Sequence, residues 1–255
     1  MPLENKSVIL TGGAGGIGAL VAGELSKLGA HLTVVDRVEK LPYDADYIRG
    51  DLSTVQGIAD VATALRALDA DVLINLAGIQ YFGPFEGQAL EHVQFSYTVN
   101  LVAPVALAQA VVPKMKRRHD GHIVNIGSIF GSISYAHFVT YSSAKAGLRS
   151  FSEALRRELN GTGIEVTYIA PRAVKTPLNS SRVMEYAALT KMAMDEPAGV
   201  AKRIAEAIAG RKKDVYIGFP ESLFVRLNAV LPRMVDAAVV KSDRQASTLF
   251  TSPSH

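Results

Sequence analysis

The sequence predicts an α/β protein with one doubly wound parallel sheet and helices on both faces. Short β-branched apolar runs alternate with longer helical patterns, which is typical of βαβ units. The first of these runs leads directly into a glycine-rich stretch, TGGAGGIG, at residues 11–18. A chain of 255 residues, 48% of them hydrophobic, can bury one large core. We therefore expect a single domain built on this sheet.

The predicted elements alternate regularly along the chain. After the glycine stretch, apolar residues share one face of a helix over 17–28, and Gly29 ends that helix. The other helices of the domain are predicted over 54–68, 88–118, 140–160 and 197–210. The strands are predicted over 7–11, 31–36, 46–51, 71–78, 121–127, 164–170 and 214–218.

Two segments depart from this alternation. Residues 172–196 show no clean periodicity, and an irregular segment of that length is typical of a binding loop or lid. We place the domain, with this lid, over residues 1–220 and a C-terminal extension over 221–255. The extension begins with a helical apolar stripe, broken by Pro232, that consists of Leu223, Phe224, Leu227, Val230 and Leu231.

The apolar stripe of the extension must bury its face against something. We expect it to dock on the domain or on a second subunit. Contact with a membrane surface is the less favoured alternative, which Arg226, Arg233 and Lys241 leave open. The terminal residues 245–255 are predicted to be disordered.

Composition excludes several classes of protein. The formal net charge is +3, and both signs are scattered without a long block, so nucleic acid is not expected as a partner. The sequence shows no signal-peptide pattern and no uninterrupted apolar run of about 18 residues, which predicts a soluble, cytoplasmic protein. With no cysteine, the chain has no disulfide framework and no cysteine nucleophile.

The glycine stretch lies where the first strand ends and the first helix begins. A dinucleotide-binding fold places its pyrophosphate there, and Gly12, Gly16 and Gly18 would leave room for it. The alternative is a tight turn that needs glycine only for its backbone conformation. A nucleoside-triphosphate loop would need Gly-Lys-Ser/Thr, whereas Gly18 is followed by Ala19, so phosphoryl transfer is not expected.

The second predicted strand ends at Asp36, eighteen residues after Gly18. This is near the spacing at which an acidic residue meets the adenosine ribose hydroxyls, and a carboxylate there repels a 2′-phosphate. The adjoining Arg37 favours NADP instead, but the glycine loop supplies no further cation. The sequence therefore favours NAD over NADP, although Asp36 could also be an ordinary acid at the end of a strand.

A second group of residues, Tyr141 and Lys145, is spaced i, i+4 within a predicted helix, so both side chains project from one face. They could be a plain surface pair. A nearby ammonium also favours a phenolate. Lowering a phenol pKa by about 3 corresponds to roughly 4 kcal/mol, which one close cation and the positive nicotinamide of an oxidised cofactor can supply together. We interpret the pair as a candidate proton donor and acceptor.

These motifs together resemble the short-chain dehydrogenase/reductase family over about the first 220 residues. Its glycine motif TGxxxGIG is matched by residues 11–18, including Ile17, and its Tyr-x-x-x-Lys by 141–145. Its Asn-Asn-Ala-Gly turn is matched by Asn75, Leu76, Ala77 and Gly78, with leucine in place of the second asparagine. The resemblance implies a Rossmann-like fold and a nicotinamide-dependent oxidoreductase.

Further family positions follow from the same resemblance. Ser128 lies thirteen residues before Tyr141, as the family's serine does, and Asn100 matches the asparagine of the family's catalytic tetrad. Asp51 and Leu52 resemble its adenine-contacting pair. The segment PRAVKTPL, 171–178, resembles the family's Pro-Gly-x-Val-x-Thr segment beside the nicotinamide, and it carries Pro171, Val174 and Thr176 with Arg172 in place of the glycine.

The resemblance implies a role for each catalytic residue. Tyr141 would exchange a proton with the substrate hydroxyl, and Ser128 would hold the same oxygen. Lys145 would lower the Tyr141 pKa and bind the nicotinamide ribose, while Asn100 would position a water that links Lys145 to solvent. Thr176 would bind the carboxamide, with the backbone of Val174 nearby. Arg172 would either point outward into solvent or turn its guanidinium toward the pocket, where it would favour an anionic substrate.

Other functions fit the residues less well. Ser128 lacks the glycine two positions before it that a hydrolase elbow requires. His119 and His122 flank a turn without a third ligand, so no metal is expected. The basic end of the helix over 88–118 has no interleaved aromatics for nucleic acid. Two alternatives stay open, an NADPH-dependent 3-oxoacyl-type reductase and a catalytically silent nicotinamide-binding protein.

The substrate pocket is predicted to be mainly apolar, which favours a secondary alcohol or ketone on a steroid-, retinoid- or acyl-like body. His137 could instead orient a polar group. The family resemblance also implies a homodimer or homotetramer joined through the long helices that contain Asn100 and Tyr141. The expected pocket residues are Ile129, Phe130, Ile133, Tyr135, Phe138, Val183, Met184, Tyr186, Met192 and Met194.

Overall fold

The computed structural model describes residues 2–251, in which seven strands form one parallel sheet in the order β3-β2-β1-β4-β5-β6-β7. The central strands β4 and β5 are buried along their whole length, as expected of a parallel sheet covered on both faces. The predicted fold class is confirmed. The strands are β1 (Ser7–Thr11), β2 (His31–Asp36), β3 (Asp46–Arg49), β4 (Val72–Asn75), β5 (Gly121–Ile126), β6 (Ile164–Pro171) and β7 (Asp214–Ile217).

Helices cover both faces of this sheet. On one face, Val21 and Leu25 of α1 share an apolar core with Ile204 and Ile208 of α7. On the other face, α2 and α4 share a second core with the sheet. The helices are α1 (Gly16–Lys27), α2 (Val55–Ala67), α3 (Leu90–Tyr97), α4 (Ala103–Arg118), α5 (Val139–Glu158), α6 (Ser181–Thr190), α7 (Pro197–Ala209), α8 (Glu221–Val230) and α9 (Pro232–Thr251).

The long helix predicted over 88–118 is interrupted. A π-helical turn, Thr98–Val102, joins α3 to α4, and such turns are frequent at functional sites. Over the part of the chain that is described, the run 90–118 is long and apolar enough to cross a membrane by length and composition alone. Half of its most apolar window is buried inside the fold.

The lid is more regular than its sequence pattern predicts. Residues 181–190 form helix α6, which begins where the Ser180 hydroxyl accepts a hydrogen bond from the Val183 amide at 3.3 Å. The helix buries Val183, Tyr186 and Ala187, which are spaced by three and four residues. The prediction of an irregular segment is therefore wrong for these residues, because a stripe of three buried positions is too short to show as clean periodicity.

The C-terminal extension differs from prediction in two ways. Of the expected stripe, Leu227 packs on the domain, whereas Leu223, Phe224, Val230 and Leu231 are exposed, and the buried residue of α8 is Val225. The prediction that the whole stripe docks on the domain is therefore wrong, whereas its docking on a second subunit stays a prediction.

The second difference concerns the end of the extension. Helix α9 continues through residue 251, so the disorder predicted from residue 245 is wrong as far as 251. Ala246 and Leu249 of α9 pack on the aromatic cluster beside Phe138, which stabilises this part of the helix. Residues 252–255 lie outside the described part of the chain.

Candidate active site

The glycine turn lies where the strand order reverses. Strand β1 pairs with β2 on one side and with β4 on the other, and open α/β sheets bind ligands at this switch point. Gly12 and Gly16 have φ of +73° and +53°, which favour glycine. A Cβ on Gly12 would lie 2.7 Å from the Ala77 Cα, and one on Gly18 would lie 2.0 Å from the Gly12 oxygen. Close packing therefore excludes a side chain at Gly12 and at Gly18.

A cleft of about 740 Å³ opens at this edge of the sheet and contains most of the predicted site. Gly18 supports its floor without lining it, and Asn75 and Asn100 lie behind its wall. The predicted site residues that line it are Gly12, Gly16, Ile17, Asp36, Arg37, Asp51, Leu52, Ala77, Gly78, Ser128, Tyr141, Lys145, Pro171, Val174 and Thr176.

Asp36 marks one end of the cleft. Its carboxylate accepts hydrogen bonds from the Ala14 amide at 3.0 Å and from the Arg37 amide at 2.7 Å, which tie the end of β2 to the glycine turn. Tyr43, which sequence reasoning missed, donates from its hydroxyl to the Gly13 oxygen at 2.6 Å. Burial, together with the Asp36 charge, raises the pKa of Tyr43 to about 12. The turn is therefore held by side chains that approach it from β2 and from the segment after it.

Asp51 lies farther along the same end. Its carboxylate accepts a hydrogen bond from the Ser53 amide at 2.9 Å. Hydrogen bonds from Ser53 lower the pKa of Asp51 below its usual value. A Cβ on Gly57 would lie 2.0 Å from the backbone oxygen of Asp51, so the start of α2 packs directly against the Asp51 backbone. Asp51 therefore holds its position at the rim as a charged carboxylate.

Thr11 connects the glycine turn to the next strand. Its hydroxyl oxygen accepts hydrogen bonds from the amides of Leu76 and Ala77, each at 3.1 Å. These bonds hold the turn after β4 against the end of β1. Leu76, which departs from the family pattern, contributes its backbone here and packs its side chain against the core under α1 and α7.

Asn75 does not line the cleft, contrary to the role that the resemblance implies. It is buried, and its amide nitrogen donates to the Asn125 oxygen at 2.8 Å on the adjacent strand β5. Asn125 in turn donates to the Ser152 hydroxyl of α5 at 2.8 Å. Because successive residues of a strand face opposite sides, Asn75 points under α4 and α5 rather than toward the cleft. Its side chain braces the sheet behind the site.

Ser128, Tyr141 and Lys145 form the wall opposite the glycine turn. Tyr141 and Lys145 share one face of α5, and both are buried, with exposed fractions of 7% and 4%. The Lys145 Nζ lies 5.9 Å from the centre of the Tyr141 ring and donates to the Ile126 oxygen at 3.0 Å. The Ser128 hydroxyl oxygen accepts from the Phe130 amide at 3.1 Å, and Ser128 also forms a hydrogen bond with Tyr141.

Burial dominates the ionisation of both groups. It raises the pKa of Tyr141 to about 12, against a lowering by the Ser128 hydrogen bond, and it lowers the pKa of Lys145 to about 8. Burial is thus the dominant effect among the chain's own groups, and Lys145 alone does not lower the Tyr141 pKa; the predicted lowering, which also includes the positive nicotinamide of an oxidised cofactor, stays a prediction. At neutral pH Tyr141 is a phenol, with its proton available for donation.

Asn100 lies in the π-helical turn between α3 and α4. Its amide nitrogen donates to the oxygens of Ile79 and Ser96, each at 2.9 Å, and its oxygen accepts from the Ile79 amide at 3.3 Å. A Cβ on Gly78 would lie 3.0 Å from the Asn100 oxygen and 3.5 Å from the Lys145 Nζ. Asn100 therefore holds the backbone after Gly78, close to Lys145 but behind the cleft surface.

The far end of the cleft is apolar, with a few polar groups. Of the predicted pocket residues, Phe130, Phe138, Val183 and Met192 line it. Ile129 and Ile133 pack away from it under α8 and α9, and Tyr135 and Tyr186 pack behind the phenylalanines. Met184 is exposed, and Met194 does not line the cleft. Sequence reasoning missed three polar residues that line the cleft, because no motif marks them: Gln80, His92 and Asn179.

His137 and Arg172 take positions that the sequence did not predict. The His137 ring lies against Phe250 of α9, with ring centres 4.8 Å apart, and is not part of the cleft lining. Arg172 borders the cleft, but its guanidinium neither enters the pocket nor points into solvent. It forms ion pairs with Asp195 at 2.6 Å and Glu221 at 3.0 Å, which raise its pKa.

The histidines and the basic helix end have structural partners. His122 is buried, bonds to the Thr167 hydroxyl at 2.8 Å, and has its pKa lowered to about 4 by burial. Lys114 pairs with Asp69 at 3.0 Å and donates to the Ala67 oxygen at the same distance. Within residues 2–251, no three His, Asp or Glu side chains are grouped to hold a metal ion.

Comparison with known proteins gives the chain a family. The family model for short chain dehydrogenases matches residues 6–187. Ketoacyl reductase HetN of Nostoc sp. is 30% identical over 234 residues, covering 84% of this chain and 79% of the relative. Dehydrogenase/reductase SDR family member 7B of Mus musculus is 31% identical over 256 residues, covering 90% and 79%.

Solved structures share the fold. A short-chain dehydrogenase from Sphingobium yanoikuyae in complex with NADPH is 24% identical, with a TM-score of 0.76 over 91% of this chain and 95% of that one. A 4-hydroxyisoleucine dehydrogenase complexed with NADH is also 24% identical, with a TM-score of 0.74 over 84% and 97%. Since the family model covers most of the chain and the relatives extend over nearly all of it, the chain belongs to the short-chain dehydrogenase/reductase family of NAD- or NADP-dependent oxidoreductases.

Proposed function

We propose that this chain is an NAD(H)-dependent enzyme that interconverts a secondary alcohol and a ketone on an apolar substrate. One observation carries the proposal. Ser128, Tyr141 and Lys145 line the same cleft as the glycine turn and Asp36, so a proton-transfer group and a dinucleotide cradle share one space. A catalytically silent binding protein would have no need of a buried lysine beside a buried tyrosine, both of which burial destabilises in their charged forms.

The residues present fit a dinucleotide. Gly15 and Gly16 line the cleft, and a Cβ on either would have no atom closer than 3.9 Å, so the backbone of the turn and the start of α1 are open to a pyrophosphate. Asp36 and Asp51 stand at the adenosine end, and Lys145 and Thr176 at the nicotinamide end, where they would hold a ribose and a carboxamide. When bound, the nicotinamide supplies the hydride donor or acceptor that no side chain can provide.

The chain's own residues would handle the proton. In reduction, the Tyr141 hydroxyl donates its proton to the ketone oxygen, and in oxidation the phenolate takes the proton back from the alcohol. The Ser128 oxygen accepts from the Phe130 amide, so its O–H is the donor of the hydrogen bond with Tyr141, and this O–H would turn from the Tyr141 oxygen to the substrate oxygen when the substrate binds. A phenolate on Tyr141 would be stabilised by the Lys145 ammonium, which is the major form below a pKa of about 8.

Preference for NAD rests on Asp36. Its carboxylate lines the cleft and is fixed by two backbone amides, so it cannot swing away from a 2′-phosphate without losing both hydrogen bonds. A fixed negative charge near a dianionic phosphate is unfavourable, and a carboxylate suits the ribose hydroxyls of NAD.

An NADPH-dependent reductase of the 3-oxoacyl type is the second candidate. Arg37 lines the cleft next to Asp36 and could pair with a 2′-phosphate. The relative from Nostoc sp. carries the name ketoacyl reductase, which supports such a substrate. The apolar far end of the cleft suits an acyl chain as well as a steroid or retinoid body.

Assembly and location are proposed on similar grounds. We expect a homodimer or homotetramer, and several large apolar side chains on α3, the π-helical turn, α4 and α5 are exposed, which supports association through these helices. They are Phe95, Val102, Val105 and Val139. We expect a cytoplasmic enzyme. The exposed apolar residues at the turn between α8 and α9 keep the membrane-surface alternative open.

Turnover measurements test the proposal. Absorbance at 340 nm is followed with NAD and with NADP, separately, against a panel of apolar secondary alcohols, and with NADH and NADPH against the matching ketones and a 3-oxoacyl thioester. We expect turnover with NAD(H) on the apolar compounds. Turnover with NADPH on the thioester alone would establish the second candidate instead. Turnover of small polar alcohols only would refute the apolar substrate.

A further inference from the structure

Arg172 occupies a position that the chain has adapted to its side chain. It follows Pro171 at the end of β6, and its amide donates to the Ile217 oxygen of β7 at 2.9 Å. Its aliphatic stem crosses Gly218, where a Cβ would lie 2.5 Å from the Arg172 Cδ and where φ is +115°. A glycine is therefore required opposite the arginine both for space and for backbone conformation.

The guanidinium joins two segments that are distant in sequence. One nitrogen, Nη2, pairs with Asp195 at the end of the lid at 2.6 Å. The other, Nη1, pairs with Glu221 at the start of α8 at 3.0 Å and donates to the Phe219 oxygen at 2.9 Å. The side chains of Arg172, Asp195 and Glu221 are only 16–22% exposed, so these pairs are shielded from water more than ordinary surface pairs are.

Asp195 also organises the segment beside the cleft through its backbone. Its amide donates to the Ala173 oxygen at 2.8 Å, and its oxygen accepts from the Lys175 amide at 3.1 Å, forming an isolated parallel bridge with Val174. The segment 173–176 that it holds includes Val174 and Thr176, which line the cleft. Whatever fixes the side chain of Asp195 therefore also fixes the backbone of this segment.

We propose that Arg172 is a positioning residue that fastens the end of the lid, at Asp195, and helix α8 to the first residues of the lid, segment 173–176, and thereby keeps the cofactor end of the cleft formed. The inference rests on the proposed function only for its effect on cofactor binding. Arg172 acts through Asp195 and touches none of the three residues that would transfer or hold the proton. Its loss should therefore weaken cofactor binding more than it slows the chemical step.

The two carboxylates beside Arg172 require its positive charge. One guanidinium stands between two carboxylates, and both are largely shielded from water. Without the guanidinium, two like charges would face each other unpaired, which is strongly unfavourable in a partly buried site. Asp195 is bonded through its backbone to Ala173 and Lys175, so repulsion at its side chain acts directly on the bridge that joins the two ends of the lid. Removing the guanidinium should therefore release the lid.

The test compares Arg172→Met with Arg156→Met. Arg156 is a matched control, because its guanidinium also pairs with a carboxylate and with backbone oxygens, through Asp214 and the Val166 and Lys213 oxygens, but at the opposite end of β6 and β7. Limited trypsin digestion of the native proteins reports the lid through cleavage after Lys191, an exposed residue at the end of α6. NADH binding, followed by its fluorescence, reports the cofactor end of the cleft.

For Arg172→Met we expect cleavage after Lys191 to be about 10-fold faster than in Arg156→Met, and NADH to bind about 10-fold more weakly, while kcat at saturating cofactor stays within about threefold. Adding Asp195→Asn to Arg172→Met should slow the cleavage again, because it removes the unpaired repulsion. A merely structural arginine would show no such recovery. Thermal unfolding of each variant shows whether faster cleavage comes from the lid or from global unfolding.

The inference is overturned if Arg172→Met is cleaved no faster than Arg156→Met, or if NADH binding to the two variants is equal within about twofold. Failure of the proposed function would look different. In that case the wild-type protein would show no turnover with any substrate of the panel, while the cleavage comparison between the two variants would still decide the role of Arg172.

Discussion

Replacing the buried lysine of the site, Lys145→Met, is expected to stabilise the free protein at neutral pH while abolishing activity. Burial lowers the pKa of Lys145 from 10.5 to about 8. Each pKa unit corresponds to 1.36 kcal/mol, so holding the ammonium in the fold at pH 7 costs about 3 kcal/mol. The variant loses the hydrogen bond to the Ile126 oxygen, worth about 1 kcal/mol, which leaves a net gain of about 2 kcal/mol.

The stability advantage of Lys145→Met over the wild type should depend on pH. The unfolded chain keeps the Lys145 proton up to about pH 10.5, whereas the folded protein releases it near pH 8. Between these values the unfolded state binds more protons, so the stability of the wild-type protein rises with pH. The methionine variant has no such group, and its advantage should shrink from about 2 kcal/mol at pH 7 to about zero at pH 9.5. Tyrosine ionisation affects both proteins alike and cancels.

Urea unfolding followed by circular dichroism at pH 7.0 and 9.5 measures this difference. Lys202→Met, at an exposed position of α7, is the control and should change the free energy of unfolding by less than about 0.5 kcal/mol at either pH. The reasoning is refuted if Lys145→Met is less stable than the wild type at pH 7, or if its advantage is the same at both pH values.

Two further variants test the cofactor end of the cleft. Gly18→Ala, whose Cβ would lie 2.0 Å from the Gly12 oxygen, should weaken NADH binding at least about 100-fold and destabilise the fold by about 1–3 kcal/mol. Gly23→Ala is the control in the same helix, because a Cβ on Gly23 would have nothing within 4 Å. It should bind NADH as tightly as the wild type and stabilise the fold by about 0.5–1 kcal/mol. Equal effects of the two substitutions on NADH fluorescence and on urea unfolding would contradict the packing argument. Asp36→Ser should raise the ratio of kcat/KM for NADP over NAD by about 10–100-fold, because a fixed negative charge is removed. Asp46→Ser, at an exposed position on β3, should leave this ratio unchanged, and an unchanged ratio in Asp36→Ser as well would refute the role of Asp36.

What could be predicted from the sequence is mostly what local pattern determines. Strands buried on both faces are continuous apolar runs, and residues at fixed offsets from their ends, such as Gly12, Asp36 and Ser128, meet at one edge of the sheet because parallel strands all end there. The i, i+4 spacing of Tyr141 and Lys145 was enough to place both on one face of a helix.

The remaining features depend on partners that are distant in sequence. Asn75 turns away from the cleft because Asn125, fifty residues later, lies beside it on the next strand. The position of Arg172 depends on Asp195, on Glu221 and on the space over Gly218. The pKa of Tyr141 depends on how deeply α5 is buried, and periodicity shows only which face is buried. Each of these features requires the assembled fold.

Tyr141→Phe tests the central claim most directly, since it removes one oxygen from the cleft and leaves the ring that packs against Phe130. NADH binding by fluorescence and turnover at 340 nm are measured on the same preparation as the wild type. The account predicts NADH binding within about threefold of wild type, with turnover reduced at least about 1,000-fold, because the proton donor is lost while the cradle is intact. Turnover that survives in this variant would contradict the assignment of Tyr141 as the group that exchanges the proton.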